Sequence, residues 1–349
     1  MTSAVDTFDD VAMDYRQERR RAVVRLPPVR LAAPALYAVT ATVVFVLHGI
    51  PLERGLLSVW ILGLLLCFSL GNLRSFGWSV LVEWIPLLAA LTLYDIVRGL
   101  AAGLLPEHAE FQIWIDRAVG LGSVPTVWLQ AHLWNPAHVS AFDVAAWSVY
   151  MSYFLVTPTL LAALWLVDRP VFRSYARRLT LLSFAAAAFF LLLPSMPPWL
   201  ASQKGLIGTS DRLIGPIGRA FPWFDGSTIW ERGLHLANDL AAFPSLHEGM
   251  TVLVAVMLWR RVPRWARVPL ALYPVAMAFA LVYAGEHYVT DLVAGALLAF
   301  AVVRVEPWLM RRLRPWAAGR AAQPVDPACS PRNRRRDRLA WRPGARPNT

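Results

Sequence analysis

Long apolar stretches alternate with short polar turns along most of this chain. Runs of about 20 residues with few charges have the length that an α-helix needs to cross the hydrocarbon core of a bilayer. The pattern predicts eight spans, at residues 31–51, 55–72, 76–96, 143–167, 176–195, 244–260, 267–285 and 287–305. We therefore expect an all-α fold, a polytopic membrane helical bundle.

Two longer segments, 97–142 and 196–243, interrupt the predicted spans. The first contains F-Q-I-W-I-D-R-A-V-G and V-P-T-V-W-L-Q-A-H-L-W, which are rich in tryptophan but too short to span a bilayer. Such pieces favour interfacial or re-entrant helices, with tryptophan at headgroup depth. The second begins with M-P-P-W-L and is dense in glycine, proline and tryptophan, and we interpret it as a candidate lid at the outer surface.

The composition supports a membrane protein. Of 349 residues, 57% are hydrophobic and 16% are charged, whereas a soluble domain carries about a quarter charged residues. The two cysteines, Cys67 and Cys329, are too few for a disulfide framework, and neither has neighbours typical of a metal site.

The net charge of +11 is unevenly distributed. With eight spans, 27 of the 34 lysines and arginines fall on one side of the membrane and seven on the other. The positive-inside rule places the richer side, with both termini, in the cytoplasm, and a bacterial plasma membrane is the expected location. We expect the arginine-rich tail to be disordered and to contact anionic lipids, and we do not expect nucleic acid as a partner.

Ionisable side chains gather at the outer ends of the predicted spans. A-A-F-P-S-L-H-E-G (241–249) precedes one apolar run, and Y-A-G-E-H-Y-V-T-D (283–291) precedes another. Because the chain crosses the membrane twice between these motifs, His247 and His287 return to the same face. His287 and Asp291 are spaced i, i+4, so they can meet on one helix face. A bond from the imidazole N–H to this carboxylate would make the other ring nitrogen more basic, as in a nucleophile or a base.

The start of the sixth predicted span favours an anion. Pro244 suits the first turn of a helix, with Ser245 and His247 following in that turn. Exposed N–H groups and the positive end of the helix dipole favour phosphate there. No group of side chains has the spacing of a metal site, and we expect neither a metal nor another cofactor.

The paired motifs resemble those of a known family. Pro244-Ser245-x-His247 followed by His287-x-x-x-Asp291 resembles the type 2 phosphatidic acid phosphatase superfamily. F-P-S-L-H-E-G and E-H-Y-V-T-D-L-V-A-G, together with M-P-P-W-L, are most similar to inositol phosphorylceramide synthases and their bacterial relatives. The resemblance implies a helical membrane core and a metal-independent phosphohistidine mechanism at one bilayer face.

The resemblance, which covers residues 176–305, also implies a role for each residue. His287 would attack phosphorus, and Asp291 would orient it. His247 would protonate the leaving oxygen and later activate the acceptor. Ser245 and nearby backbone N–H groups would hold the phosphate oxygens.

The chain departs from the broader family at the cationic residues. The family's Ser-Arg before the last histidine corresponds here to Ala280 and Leu281. The Arg-Pro pair between spans, Arg169-Pro170, falls on the opposite side of the predicted membrane. Phosphoryl transfer nevertheless requires positive charge at the equatorial oxygens.

Arg98 is the first candidate for this cation. It lies at an outer span end beside Tyr94 and Asp95, in Y-D-I-V-R-G, which is a further match to the family. The alternative is a snorkelling arginine that pairs with Asp95. Three further cations are also candidates. They lie in residues 196–243, the second of the two segments that we expect at the outer face (the second outer segment): Lys204, Arg212 and Arg219.

Four parts of the chain follow from these patterns. They are a basic cytoplasmic segment (1–30), the first spans with an outer segment (31–142), a catalytic membrane core (143–305) and a basic tail (306–349). We expect a membrane-embedded phosphotransferase or phosphatase that acts on a lipid phosphate at the extracytoplasmic face. Whether water or an alcohol is the acceptor stays open. A proton-coupled transporter or flippase that uses the His/Asp pair, and a catalytically inactive scaffold, are the alternatives.

Overall fold

The computed structural model describes residues 28–48, 54–70, 73–101, 103–220 and 238–321, and these ranges contain helices and no strand. The chain divides into two units, Met1–Val302 and Val303–Thr349. The described part of the second unit is the continuation of the last helix. Nearly all of the predicted N-terminal segment and most of the predicted tail lie outside the described residues.

The described elements of the first unit are helices and helical turns. In chain order they are α1 (Pro28–His48), α2 (Arg54–Phe68), α3 (Leu73–Ser79), a π-helical turn (Val80–Trp84), α4 (Ile85–Leu100), α5 (Glu110–Val119), α6 (Pro125–Leu133), α7 (Ala141–Val167), α8 (Arg169–Leu192), α9 (Pro198–Gln203), α10 (Ile214–Gly218), α11 (Leu246–Leu258), a 3₁₀ turn (Arg264–Ala266), α12 (Arg267–Tyr283) and the first part of α13 (Val289–Ala321).

Five stretches of helix are long and apolar enough to cross a membrane. They are Leu73–Leu100, Ala141–Val167, Arg169–Leu192, Arg264–Tyr283 and Val289–Leu313. The other three predicted spans coincide with shorter apolar helices, Ala32–Phe45, Leu57–Phe68 and Leu246–Leu258. The all-α membrane bundle is therefore confirmed, whereas these lengths do not confirm the predicted total of eight spans. Short helices α5 and α6 occupy the first outer segment, and their interfacial or re-entrant location stays a prediction.

One predicted loop is wrong. Residues 168–178 were expected to connect two spans, but α7 ends at Val167 and α8 already begins at Arg169. Asp168 caps α8, because its Oδ1 accepts a hydrogen bond from the Val171 amide at 3.3 Å, and Pro170 suits the first turn. The polar residues of this stretch therefore extend α8 beyond its apolar part.

Two glycines bring α11 against α13. A Cβ atom on Gly295 would lie 2.1 Å from the Ser245 carbonyl oxygen, and one on Gly249 would lie 3.0 Å from the Gly295 carbonyl oxygen. Only glycine permits two backbones to approach this closely. The crossing places the start of α11 beside the start of α13.

The turn between α12 and α13 depends on a third glycine. Gly285 has a φ of 78°, and a Cβ atom there would lie 2.6 Å from the Asp211 carbonyl oxygen. The Leu213 amide donates to the Ala284 carbonyl at 3.1 Å, and the Trp199 amide donates to the Gly285 carbonyl at 3.1 Å. The second outer segment is thus hydrogen-bonded directly to this turn.

Gln130 on α6 ties these pieces together. Its Nε2 donates to the carbonyls of Tyr283 at 2.8 Å and Asp211 at 2.9 Å, and its Oε1 accepts from the Asp211 amide at 2.8 Å. One buried amide side chain therefore connects α6, the second outer segment and the end of α12.

Candidate active site

His247 and His287 meet where the glycine crossing and the glycine turn come together. His247 Nδ1 lies 3.3 Å from His287 Nε2, and the two rings are inclined at 63°. His247 belongs to the first turn of α11, and His287 lies in the connection before α13. The structure therefore brings together the two histidines that the sequence placed at one membrane face.

Asp291 contacts the other nitrogen of His287. The distance from His287 Nδ1 to Asp291 Oδ2 is 3.4 Å, and the Asp291 side chain is fully buried. The sequence predicted this contact from an i, i+4 spacing on one helix face. That part of the prediction is wrong, because α13 begins only at Val289 and His287 is not helical. Asp291 Oδ2 also accepts from the Tyr288 amide at 2.9 Å, which fixes the carboxylate at the start of the helix.

Ser245 caps α11. Its Oγ accepts from the Glu248 amide at 3.3 Å, and its own amide donates to the Asp291 carbonyl at 2.9 Å. The sequence suggested that Pro244 occupies the first turn of this helix. In the structure Pro244 instead precedes the cap. Ser245 is fully buried, and its oxygen serves the helix and not an open anion site. Phosphate binding by Ser245 stays a prediction that this arrangement does not favour.

Aromatic side chains of α7 surround His247. The ring centroids of Tyr153, Tyr150 and Phe154 lie 4.3, 5.3 and 6.3 Å from that of the imidazole. The sequence analysis missed these residues. Their i, i+3, i+4 spacing in Y-M-S-Y-F indicates a shared helix face, but nothing in the pattern says that the face meets a histidine.

Arg98 lies at the end of α4, in the cluster predicted from Y-D-I-V-R-G. Its Nη2 is 3.9 Å from Asp95 Oδ1, and its guanidinium lies 5.7 Å from the centroid of the Tyr94 ring. The carbonyl oxygen of Arg98 accepts from Asn238 Nδ2 at 2.9 Å, which joins α4 to the second outer segment.

Arg212 is a second cation, and it pairs with the residue that precedes His287. Its Nε donates to Glu286 Oε1 at 2.7 Å, and its guanidinium lies 4.9 Å from the centroid of Trp199. Burial alone would lower the pKa of Arg212, but the Glu286 carboxylate raises it above its ordinary value, so Arg212 stays charged. Glu286 therefore holds this cation next to His287 in the chain.

Lys204 and Arg219 are not brought to the histidines. Lys204 forms an ion pair with Glu107, and its side chain is 41% exposed. Arg219 is exposed at the end of α10. Among the described cations of the second outer segment, the geometry thus favours Arg212 over these two.

The chain is similar to one protein family and to two curated relatives. A family model described as the PAP2 superfamily matches residues 113–305. The chain is 26% identical over 175 residues to inositol phosphorylceramide synthase of Candida albicans, a match that covers 46% of this chain and 35% of the relative. It is 25% identical over 201 residues to the catalytic subunit of inositol phosphorylceramide synthase of Schizosaccharomyces pombe, covering 56% of this chain and 47% of the relative. The chain therefore spans less than half of each relative. No solved structure gives a significant match.

Proposed function

The chain belongs to the PAP2 superfamily, and we propose that it transfers a phosphoryl or phospho-headgroup through a covalent intermediate on His287. The superfamily and the enzyme class predicted from the sequence, a phosphotransferase or phosphatase, are confirmed by the match. Because the chain spans less than half of the named relatives, its own reaction, substrates and location are proposals.

The observation that carries this proposal is the position of His287 between Asp291 and His247. Asp291 lies beside Nδ1 and His247 beside Nε2. A carboxylate that accepts the Nδ1 proton leaves the lone pair of Nε2 free to attack. This makes Nε2 the nucleophile and gives His247 the position of an acid and base next to it.

The proposed reaction has two balanced steps. Nε2 of His287 forms a bond to phosphorus as the bond from phosphorus to the leaving lipid oxygen breaks, and His247 gives that oxygen its proton. In the second step the acceptor hydroxyl attacks phosphorus and loses its proton to His247, and the P–N bond breaks. Both histidines then return to their starting state.

The two rings must separate when substrate binds. Their facing nitrogens are 3.3 Å apart, which leaves no space for a phosphoryl group between them. The His247 ring packs among aromatic side chains of α7, whereas His287 belongs to a non-helical connection. We infer that a shift of one ring accompanies binding.

Arg98 and Arg212 supply the positive charge that the reaction needs. Arg212 pairs with Glu286, the residue before His287, and Arg98 ends α4 beside Tyr94 and Asp95. Electrostatic stabilisation of the transferring oxygens is the main protein contribution to phosphoryl transfer. Arg212 would release Glu286 in part as phosphate binds, because the two anions compete for one guanidinium.

The names of the relatives suggest the substrate. We propose a lipid with a phosphoinositol headgroup as the donor and a lipid alcohol as the acceptor, with water as the competing acceptor. The family match favours this enzyme over the proton-coupled transporter.

We place the site at the extracytoplasmic face, with both termini in the cytoplasm of a bacterial plasma membrane. This location and anionic-lipid contact by the tail rest on the distribution of arginines. A cysteine at exposed Gln203, with Cys67 and Cys329 replaced by serine, should react with an impermeant reagent in intact cells. Reaction only after lysis would reverse the topology.

The proposed function can be tested with purified protein in detergent and a panel of ³²P-labelled phospholipids. The panel contains phosphatidic acid and lipids whose headgroup phosphate carries the label. Wild type should release or transfer label and carry acid-labile label on His287. His287→Ala should do neither, and His247→Ala should slow both steps. Equal turnover by all three proteins would overturn the mechanism.

A further inference from the structure

Asp116 connects an outer helix to the start of α13. It lies on α5, fully buried, within F-Q-I-W-I-D-R-A-V-G, and the sequence analysis gave it no role at the site. Its Oδ2 accepts from the Val289 amide at 2.8 Å, and its Oδ1 accepts from both the amide and the hydroxyl of Thr290, at 3.0 and 2.7 Å. One carboxylate thus receives three hydrogen bonds from two consecutive residues that follow the His287-Tyr288 pair.

These bonds complete the hydrogen bonding at the start of α13. The first amides of a helix have no partner within the helix. Here the Tyr288 amide donates to the Asp291 side chain, and the amides of Val289 and Thr290 donate to Asp116. The Asp291 amide donates to the Tyr288 carbonyl at 3.1 Å. Two of the four amides that follow His287 therefore depend on a residue from another segment.

The two helices of the site are capped differently. The start of α11 is capped locally by Ser245. The start of α13 has instead a carboxylate that comes from a residue more than 170 positions earlier in the chain. A negative charge at this place also interacts favourably with the positive end of the helix dipole.

The backbone of His287 itself makes one long hydrogen bond within the described residues. It lies outside the helices, and its amide donates to the Leu281 carbonyl at a long 3.4 Å. Its 3.4 Å distance to Asp291 therefore depends on an ordered first turn of α13. Fraying of that turn would move the imidazole and the carboxylate apart.

We propose that Asp116 is a positioning residue for the His287–Asp291 pair: it holds the first turn of α13 and so sets the orientation of the nucleophile. This inference rests on the proposed function in that His287 is taken as the nucleophile. The residue acts through the backbone of Val289 and Thr290 and does not touch the reacting atoms.

Three substitutions grade the contact. Asp116→Ala removes all three acceptor bonds. Asp116→Asn keeps the size and one acceptor oxygen but turns an amide NH₂ toward an N–H donor. Thr290→Val removes only the hydroxyl bond and keeps both backbone bonds. Glu110→Gln is the charge control on the same helix, because its side chain is 74% exposed and it accepts from the amide of Ala109.

The first measurement is hydrogen–deuterium exchange of the full chain in detergent, which needs no activity. Asp116→Ala should raise exchange of the Val289 and Thr290 amides about 10-fold or more, because each loses its hydrogen bond. Asp116→Asn should give a smaller increase, and Thr290→Val and Glu110→Gln should stay within about threefold of wild type. Wild-type exchange in both Asp116 variants would overturn the proposal.

The second measurement is the rate at which ³²P from the labelled lipid appears on His287. Asp116→Ala should lower this rate about 100-fold, the effect of a misplaced catalytic group, with the half-saturating lipid concentration unchanged. Asp116→Asn should fall between this variant and wild type. Faster amide exchange with an unchanged labelling rate would show a purely structural cap and would also overturn the positioning role.

The two proposals fail in different ways. Absence of label on His287 in wild type overturns the proposed function, and amide exchange still decides whether Asp116 holds the turn. Label on His287 at equal rates in wild type and both Asp116 variants overturns the inference alone.

Discussion

Two polar clusters lie in this apolar bundle, and they are built on opposite principles. One surrounds Glu83 in the π-helical turn, and the other is the histidine site. Glu83 precedes Arg98 by 15 residues and Tyr150 precedes Trp165 by 15 residues, which corresponds to about 22 Å along each helix. Along the helical stretch Leu73–Leu100 and along α7, residues of the two clusters are thus about four turns apart.

The Glu83 cluster is saturated. The carboxylate is 7% exposed and accepts from Trp165 Nε1 at 2.9 Å, from Arg173 Nε at 2.7 Å and from Arg169. The Arg169 guanidinium also stacks on the Trp165 ring, 3.6 Å from its centroid. Both oxygens of this buried carboxylate thus have donors, and two of the three donors are arginines, so the cluster stabilises packing.

The histidine site keeps such capacity. Two imidazoles face each other, and within the described residues Asp291 Oδ1 has no hydrogen-bond partner. A buried polar group without a partner costs free energy, so this arrangement is retained at the expense of stability. Between these two clusters, the difference lies in the unused hydrogen-bonding capacity of Asp291 and not in the burial of charge.

The largest effect should come from the histidines together. We expect His287→Ala to lower turnover of the labelled lipid on the order of 10⁴-fold or more, because the nucleophile is lost. The double variant His247→Ala/His287→Ala should fall no further, since both residues act on one phosphorus. Initial rates measure this, and a multiplicative loss would contradict a shared role.

The arginines of the two clusters form a matched pair. Arg212→Gln should lower turnover about 10² to 10³-fold, the typical effect of removing one group that stabilises developing negative charge. Arg173→Gln should leave turnover unchanged, because Arg173 serves Glu83 and its side chain is 60% exposed. An equal loss of turnover in the two variants would contradict the assignment of one cluster to catalysis and the other to packing.

The glycine crossing sets the distance between the histidines. In Gly295→Ala the new methyl group would overlap the Ser245 carbonyl, so α11 must move away from α13 and turnover should fall about 100-fold. Gly77→Ala is the control, because no atom lies within 4 Å of the added Cβ, and it should raise stability by up to about 1 kcal/mol. Initial rates and thermal unfolding in detergent distinguish the two, and wild-type turnover in Gly295→Ala would contradict the role of the crossing.

The smallest effect on catalysis should come from Glu83. Glu83→Gln removes the charge that two arginines share and should lower stability by about 1–2 kcal/mol, less than for a fully buried pair because both arginines reach solvent. The thermal midpoint should fall by a few degrees, with turnover per folded molecule unchanged. A loss of turnover without a loss of stability would show that this cluster also serves the reaction.

The sequence by itself determined the helical membrane class, the family and the convergence of His247 and His287. These features follow from local or topological rules. A helix satisfies its backbone within one segment, and a chain that crosses twice must return to the same face.

The choice among cations was beyond the sequence. Lys204 and Arg212 belong to the same segment, yet only Arg212 pairs with Glu286 beside the histidines. The hydrophobic residues of this segment follow no helical or strand period. Its position on the bundle therefore depends on the hydrogen bonds of Gln130 and on the close approach at Gly285.

Only the tertiary structure decided that His287 lies outside the helix and that Asp116 holds the start of α13. Each depends on atoms from segments far apart in the chain, which meet because glycines let backbones touch and because buried amides require partners. Hydrophobic periodicity reports the face that a helix buries, but it carries no information about which polar group of another segment meets that face.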